Sequence, residues 1–457
     1  MAKLQGTVLA TALLLGGCTM APKYERPRAP IPPAYPVAAG VTDTNSSGAS
    51  VAWRDLIGDA RLKALTELSL NNNRDLRVAM LNVEKSRAQY RIARSGLMPA
   101  IEAGGAYTRA RAAGVTSDTW SATIGATAYE LDLWGRVRSL NSQALENYLA
   151  TDEARRSVGI ALVAEVATQY FALREAEEEL ELGRRTLQAV TESYDLNKAS
   201  FDAGAIGELD VRTAEAQVQT AKIELLEQER LRVVAENALV LLAGVALPGD
   251  LPASRPFQDG DLVGQLAPGL PSELLCSRPD ILAAEHALKA ANANIGAARA
   301  AFFPSIRLTG QVGTASDEFH KLFGAGTGIW SFSPQVTLPI FTGGQKRADL
   351  ESSKVGQRIE VARYEKAIQT AFREVSDAMA GVSSYASQMT ARNALVTAQQ
   401  ARYDLATARY RRGEDNYLTV LSAQQDLYSA QKGLLRTQFN KLASQISLYK
   451  ALGGGWK

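Results

Sequence analysis

The 457-residue chain is poor in the residues on which most catalysis and all disulfide scaffolds depend: two cysteines, two histidines and six methionines. Cys18 closes an N-terminal apolar segment, which leaves Cys276 without a partner and excludes a disulfide framework. His286 falls in a helical context and His320 in a loop, so no thiol has a base to partner it, and soft-metal ligation is scarce. There is no metal-ligand spacing, nucleophile elbow or phosphate loop; Gly343-Gly344 and Gly453-Gly454-Gly455 read as a turn and a tail. No metal, no cofactor and no enzymatic activity are expected. Aromatic residues make up only 7% of the chain, fewer than a compact enzyme core of this length normally needs. Small residues and helix formers take their place, which points to long helices in close contact, because alanine lets backbones approach. The net charge is only +2, and Lys and Arg are dispersed, so there is no electrostatic footprint for nucleic acid.

The first residues are processing information. Lys3 supplies a positive start, and Gly6 to Leu15 is an apolar run too short to span a bilayer as a helix. It ends in Leu15-Gly16-Gly17-Cys18, the small-residue pattern of a bacterial lipobox. On this reading residues 1–17 are a lipoprotein signal peptide, and Cys18 carries an S-diacylglycerol and an N-linked acyl (palmitoyl) chain after cleavage. Three acyl chains give stable anchoring, at roughly 0.8 kcal/mol per buried methylene. Thr19, where an Asp would signal retention, fits release to the outer membrane. Residues 18–52 then form an extended leader, proline-rich from Pro22 to Pro36.

The body of the chain is an internal repeat. Tyr194-Asp195-Leu196 recurs 209 residues later as Tyr403-Asp404-Leu405, and Gly204, Leu209 and Val211 meet Gly413, Leu418 and Val420 at the same offset. Earlier in each half, Ala93-Arg94 and Pro99-x-Ile101 match Ala298-Arg299 and Pro304-x-Ile306. The copies are residues 53–247 and 272–457, separated by a Pro/Gly-rich linker or equatorial segment over 248–271. Each has one grammar: helix, two strands, a very long helix, a tight turn and a shorter helix. Strict alternation of apolar and polar residues predicts strands over about 304–314 and 329–341, and over 99–112 and 119–133 in the first half. Each is long enough to cross an outer membrane when tilted. The apolar positions include Trp120, Trp330 and Phe332, which suit a lipid-facing aromatic girdle. Proline-free helical runs follow, from Arg136 to about Ser200 and from Gln345 to about Tyr410, each on the order of 100 Å long. Coiled-coil spacing marks a seam along Leu435, Phe439, Leu442, Ile446 and Tyr449, and another along Ala394, Ala398, Ala401, Leu405 and Ala408. Gly204 and Gly413 are expected where the long helices reverse.

Four strands cannot close a barrel, and open edges are not tolerated in lipid. Closure needs at least about eight strands. Several chains are therefore expected to share one barrel, with the polar strand faces lining water and the helices continuing the ring as a tube.

The chain resembles the TolC-type outer membrane factors, in particular the lipoprotein branch of OprM and CusC type. The resemblance rests on Tyr129-Glu130-Leu131-Asp132-Leu133-Trp134-Gly135-Arg136, Arg278-Pro279-Asp280-Ile281, the run from Ala290 to Pro304, Leu338-Pro339-Ile340-Phe341, and Ala451-Leu452-Gly453-Gly454-Gly455-Trp456. It implies an α+β membrane protein: a homotrimer forming a twelve-stranded β-barrel, a twelve-helix α-barrel and an equatorial domain. It implies an outer-membrane exit duct for drugs or other small molecules, working with a periplasmic adaptor protein and an inner-membrane RND pump. Type I protein secretion and heavy-metal efflux are the alternatives within the same architecture. The resemblance further implies a gate at the periplasmic tip, with Asp195, Tyr410 and Arg411 as a cross-link and Leu418 as a constricting side chain. Where relatives of OprM type carry an Asp and an Arg near the turn, this chain has Leu421-Ser422-Ala423-Gln424-Gln425. An acidic ring is then absent or supplied by Asp202, Glu414 or Asp415.

Overall fold

The computed structural model describes residues 19–36, 51–258, 260–262, 266, 269 and 271–454. Cys18, the signal peptide and most of the proline-poor part of the leader lie outside these residues. The chain divides into two compact units: residues 1–29, 80–154 and 280–367 in one, and 30–79, 155–279 and 368–457 in the other. Both units draw on both sequence repeats.

The first unit holds the sheet. Strands β1 (Ile101–Ala112), β2 (Val115–Leu131), β3 (Ser305–Ser316) and β4 (Gly328–Thr337) pair antiparallel in chain order. Ile124 lies opposite Ala103 on one side and Val312 on the other, and Val312 opposite Trp330. Period-two alternation therefore gathers Ile124, Val312, Trp330, Phe332 and Val336 on one face, all at least half exposed in the chain. Thr123, Gln311, Ser331 and Ser333 share the other face. The register shifts between Ala126 and Tyr129, where Ala128 takes a positive φ and its N–H donates to Thr309 Oγ1. Among the described residues the first and last strands each have one unpaired edge. β4 ends at Thr337, short of the residue 341 expected from the alternation, because its one partner begins at Ser305 opposite Thr337. β2 begins at Val115 because a two-residue turn over Ala113-Gly114, both at positive φ, continues the pairing upward.

The helices follow the repeat. Helices α1 (Trp53–Leu56), α2 (Ala60–Asn72), α3 (Arg74–Ser95), α4 (Arg136–Asp202) and α5 (Glu208–Ala243) belong to the first half. Helices α6 (Leu274–Ser277), α7 (Pro279–Ala300), α8 (Gln345–Arg411) and α9 (Tyr417–Ala451) belong to the second. The helical segment that precedes β1 is broken at Asn73, which adopts an extended backbone. Its side chain accepts from Leu76 N–H and donates to Leu242 C=O, so Asn73 ends one helix and caps the next. In the same unit as the sheet, the leader runs along α7. Arg26 donates to both oxygens of Glu285, Tyr24 donates to one of them, and Asn292 donates to Pro22 C=O.

The main core belongs to the second unit. Leu62 and Leu65 of α2, Val166, Tyr170 and Phe171 of α4, Leu239 of α5, and Ile446 and Tyr449 of α9 pack there. Beside them Arg174 is 1% exposed, donating to Asp261 at 2.9 Å and lying 3.7 Å from Asp59, which also accepts from Tyr170 OH. Its guanidinium stacks over Phe257 at 4.8 Å. Breaking such a buried pair on one side costs about 3–5 kcal/mol, so this cluster pins the segment around Phe257 and Asp261 to α4.

The α9 seam is where its spacing put it, with Leu442, Ile446 and Tyr449 buried. The α8 seam is displaced. Ala394, Ala398, Ala401, Leu405 and Ala408 are exposed within the chain, while Ala406 is buried and Val396, Gln399, Tyr403 and Tyr410 are half-buried. Both stripes have steps of three and four; the one carrying Tyr403, Ala406 and Tyr410 packs with Tyr417, Val420 and Ala423 of α9.

Further along α4, burial pushes the Glu175 carboxyl up to about 7 against the pull of Arg436 at 3.1 Å. Glu179, facing Lys432 and Arg436, is raised for the same reason. The folded state therefore holds protons that the unfolded chain releases. Stability is greatest below the ordinary carboxylate value and falls as pH rises toward about 7. The melting temperature in detergent is expected to drop across that interval and to drop less in Glu175→Gln; an unchanged slope in the variant would remove Glu175 as a cause.

Candidate functional site

The site is built from the two helix reversals, which have the same construction. At the α4–α5 turn Gly204 adopts φ +75°, and its N–H donates to Phe201 C=O at 2.8 Å while Ala205 N–H reaches Ser200 C=O. At the α8–α9 turn Gly413 adopts φ +73°, donating to Tyr410 C=O at 2.9 Å while Glu414 N–H reaches Arg409 C=O. A side chain at either glycine would be strained in this left-handed conformation. Gly207 and Asn416 then start α5 and α9 in extended conformation, and the Asn416 side chain accepts from Thr419 N–H.

The turn charges divide into two groups. Arg409 pairs with Asp415 at 2.6 Å, and Arg412 pairs with Glu414 at 3.1 Å. Both pairs lie within the α8–α9 turn. Arg409 draws the Asp415 carboxyl below its ordinary range. Asp195, Asp202 and Arg411 are exposed and form no ion pair among the described residues. The structure does not join Tyr410 to Asp195. Tyr410 OH donates instead to Asn197 Oδ1 at 2.5 Å, and Asn197 is fully buried. Tyr417 lies beneath, its ring 5.7 Å from Tyr410, and Ser193 donates to its hydroxyl at 3.3 Å. Ala214, Ala406, Val420 and Ala423 complete this cluster. Burial, followed by the charge of Asp210, raises the Tyr410 phenol, so it remains a neutral donor.

Above the turn, Arg402 of α8 reaches Asp426 at 2.5 Å and Ser422 at 3.4 Å on α9. Gln425 donates to Gln217 of α5 at 3.2 Å. The two positions that depart from the expected Asp and Arg thus make polar links between helices in this chain. Leu418 is 65% exposed and its repeat counterpart Leu209 is 79% exposed, one leucine at the start of each shorter helix. Asn197, Arg409, Tyr417 and the Arg402–Asp426 pair were not singled out from the sequence. A mid-helix asparagine is the one signal that could have flagged the first, since such residues are poor helix formers unless they bond elsewhere.

A sheet with one apolar and one polar face, free at both edges, joined to paired long helices whose tips carry a tyrosine–asparagine lock, defines a channel-forming envelope protein. Among the described residues no helix is long and apolar enough to cross a membrane. The family model for outer membrane efflux proteins matches residues 65–245 and 270–454. The chain is 46% identical over 463 residues to the antibiotic efflux pump outer membrane protein ArpC of Pseudomonas putida, and equally to the toluene efflux pump outer membrane protein TtgC of the same species. Each alignment covers 98% of this chain and 95% of the relative. The open state of the MtrE outer membrane channel of Neisseria gonorrhoeae superposes with a TM-score of 0.89 at 41% identity, covering 96% of this chain and 99% of that one. The chain belongs to the outer membrane efflux protein family. It resides in the outer membrane as the channel component of an efflux pump, a transport role without enzymatic chemistry.

Tyr410→Phe is expected to leave the buried Asn197 oxygen without its donor, at a cost of about 1–3 kcal/mol confined to the turns. Limited trypsin digestion should then cut faster at Arg411 and Arg412 than in the parent protein. Equal cleavage rates would show that the bond does not hold the turn.

Proposed function

We propose that three copies of this chain close one twelve-stranded β-barrel, continued by twelve helices into the periplasm, and that this duct passes small molecules delivered by an RND-type pump through a periplasmic adaptor. The carrying observation is the four-stranded sheet with an apolar face, a polar face and two free edges. In lipid such edges leave backbone groups unpaired at several kcal/mol each, and neighbouring copies remove them. Trp330 and Phe332, 80% and 61% exposed, meet lipid in this reading, while the polar face lines water. Lipid on Cys18 holds the leader at the membrane. Cargo similar to that named for ArpC and TtgC, antibiotics and apolar solvents, fits a water-filled tube that leaves selection to the pump.

The two helix turns form the gate. Glu414 and Asp415 are held by Arg412 and Arg409 of their own turn, so they are not the groups that tie neighbours together. Asp195 and Arg411 are exposed near the two turns and form no ion pair among the described residues, which suits a link between adjacent subunits. Tyr410, locked to Asn197, sets the position of Arg411 beside it. Leu418, projecting from the start of α9, narrows the opening, and Asp202 adds charge at the mouth. Gly204 and Gly413 fix the reversals.

The experiment is antibiotic susceptibility in a strain lacking its own outer-membrane efflux ducts but retaining a pump and adaptor. Resistance to several unrelated drugs should return with this gene and be lost with Cys18→Ala or on deletion of the pump. Correct assembly in the outer membrane without any change in susceptibility would count against small-molecule efflux. For the gate, Asp195→Ala with Arg411→Ala should raise single-channel conductance and vancomycin sensitivity. If both stay at parental values, these residues do not close the duct.

A further inference from the structure

The sheet root carries a second kind of information, because the chain contains one complete strand–strand junction between its repeats and one half-junction. The complete junction is β2 against β3, where Leu131 lies opposite Ile306 and Glu130 opposite Arg307. The half-junction is the outer edge of β4, which has no partner among the described residues, as the outer edge of β1 has none. The repeat relates the two. Gly135 and Gly344 precede α4 and α8 at φ +74° and +90°, and the helices begin at Arg136 and Gln345. At that offset Glu130 and Leu131 correspond to Pro339 and Ile340. At the offset that joins Pro99 to Pro304, Ile306 and Arg307 correspond to Ile101 and Glu102.

Exposure follows the same logic. Leu131 and Ile306, paired inside the chain, are half-buried. Their counterparts Ile340 and Ile101 are 92% and 64% exposed, and Phe341 is 89% exposed. The apolar alternation of β4 also runs on through Leu338 to Ile340 although pairing stops at Thr337. Apolar residues in strand alternation with nothing beside them are half of a contact.

Charge identifies the other half. A cavity of about 360 Å³ at the root of the sheet is lined by Thr337, Pro339, Lys346, Arg307, Glu130 and Arg136, among others. Glu130 is occupied by Arg136 at 2.7 Å. Asp132, which also lines the cavity, is held by Arg138 at 3.1 Å, while Lys346 and Arg307 form no ion pair among the described residues, so the lining carries a net positive charge. Glu102, exposed on the polar side of β1, likewise has no ion pair among the described residues.

We propose that a second copy of this chain lays its β1 along the outer edge of β4 in the register that β2 keeps with β3, so that Glu102 of the partner subunit stands beside Pro339 and pairs with Lys346. Ile101 of the partner subunit covers Ile340 in the same step. Directly opposed residues on paired strands have Cβ atoms about 4.5–5.5 Å apart, within reach of a lysine on the first turn of the following helix. The device fixes register as well as association, because a slip by one residue turns the glutamate to the apolar face and the isoleucine to the polar one. The inference rests on the trimer proposed above.

The test is a cysteine pair, Glu102→Cys with Pro339→Cys in a Cys276→Ser background, oxidised in outer-membrane preparations. A covalent oligomer is expected, and none from Thr108→Cys with Pro339→Cys. If native mass spectrometry finds a trimer but the first pair does not cross-link, the register is wrong while the trimer stands. If the chain is monomeric in the membrane, the trimer reading itself fails and this contact with it. A charge test keeps the ion pair separately falsifiable: Lys346→Glu should lower the temperature at which the trimer dissociates, and adding Glu102→Lys should restore it. Failure of the double exchange to restore that temperature would overturn the pairing.

Discussion

Unpaired backbone hydrogen-bonding groups are the constraint on which the rest of this structure depends. Each N–H and C=O along the outer edges of β1 and β4 is harmless in water and costs several kcal/mol in hydrocarbon. A four-stranded sheet with an apolar face cannot satisfy both conditions alone, since burying that face in lipid exposes the edges to it. The apolar side chains and the open edges therefore point to the same resolution, a ring of copies. The strand lengths follow, because each of the four strands has ten to seventeen residues, enough for a tilted crossing.

The repeat makes that ring economical. Two related copies of one helix–strand–strand–helix–helix unit give each chain two hairpins, and in the proposed ring the junction between them is a sample of the junction between chains. The two copies are not equivalent at their tips. The α8–α9 turn carries the Arg409–Asp415 and Arg412–Glu414 pairs, while the α4–α5 turn has the uncharged Ser200, Ala203, Ala205 and Ile206 at the corresponding positions. The same backbone reversal thus supports two different surfaces, and a gate needs that asymmetry if one hairpin is to move against the other.

Much of this was legible in the sequence, and the limits were physical. Strand alternation, the glycine reversals and the repeat are local patterns, and Gly204 and Gly413 occupy the left-handed positions that their place after long helical runs demanded. Strand ends were less legible, because the end of β4 depends on where its partner begins rather than on its own residues. Helix faces failed for a related reason. A helix with two apolar stripes has two correct answers, and Ala394 to Ala408 mark the face that this chain leaves open. Asn73 could not be told from an ordinary helical asparagine until Leu242 offered its carbonyl. The Tyr410–Asn197 bond joins residues 213 apart, a distance over which spacing carries no information. Cys18 was read from a processing motif, and its place in the fold lies outside the described residues.

The energetics of the tip argue that a duct of this kind is built to be opened. An exposed ion pair contributes about 0–1 kcal/mol, so neither the Arg409–Asp415 pair nor a link between Asp195 and Arg411 is strong alone. Buried bonds such as Tyr410 to Asn197 are worth more to lose than to gain, because their removal strands a desolvated oxygen. The structure buries the strong interaction, Tyr410 to Asn197, between the two hairpins of one chain and leaves Asp195 and Arg411 exposed, where the proposed assembly would bring neighbours together. In the proposed trimer, threefold repetition would multiply the weak links into a total of a few kcal/mol, enough to favour the closed state by a large factor. That total also matches what a partner protein gains from a modest difference in affinity between two states, since a coupling of 1–3 kcal/mol is typical. A gate held by deeply buried contacts would need more than a binding partner can supply, and a gate held by one surface pair would leak.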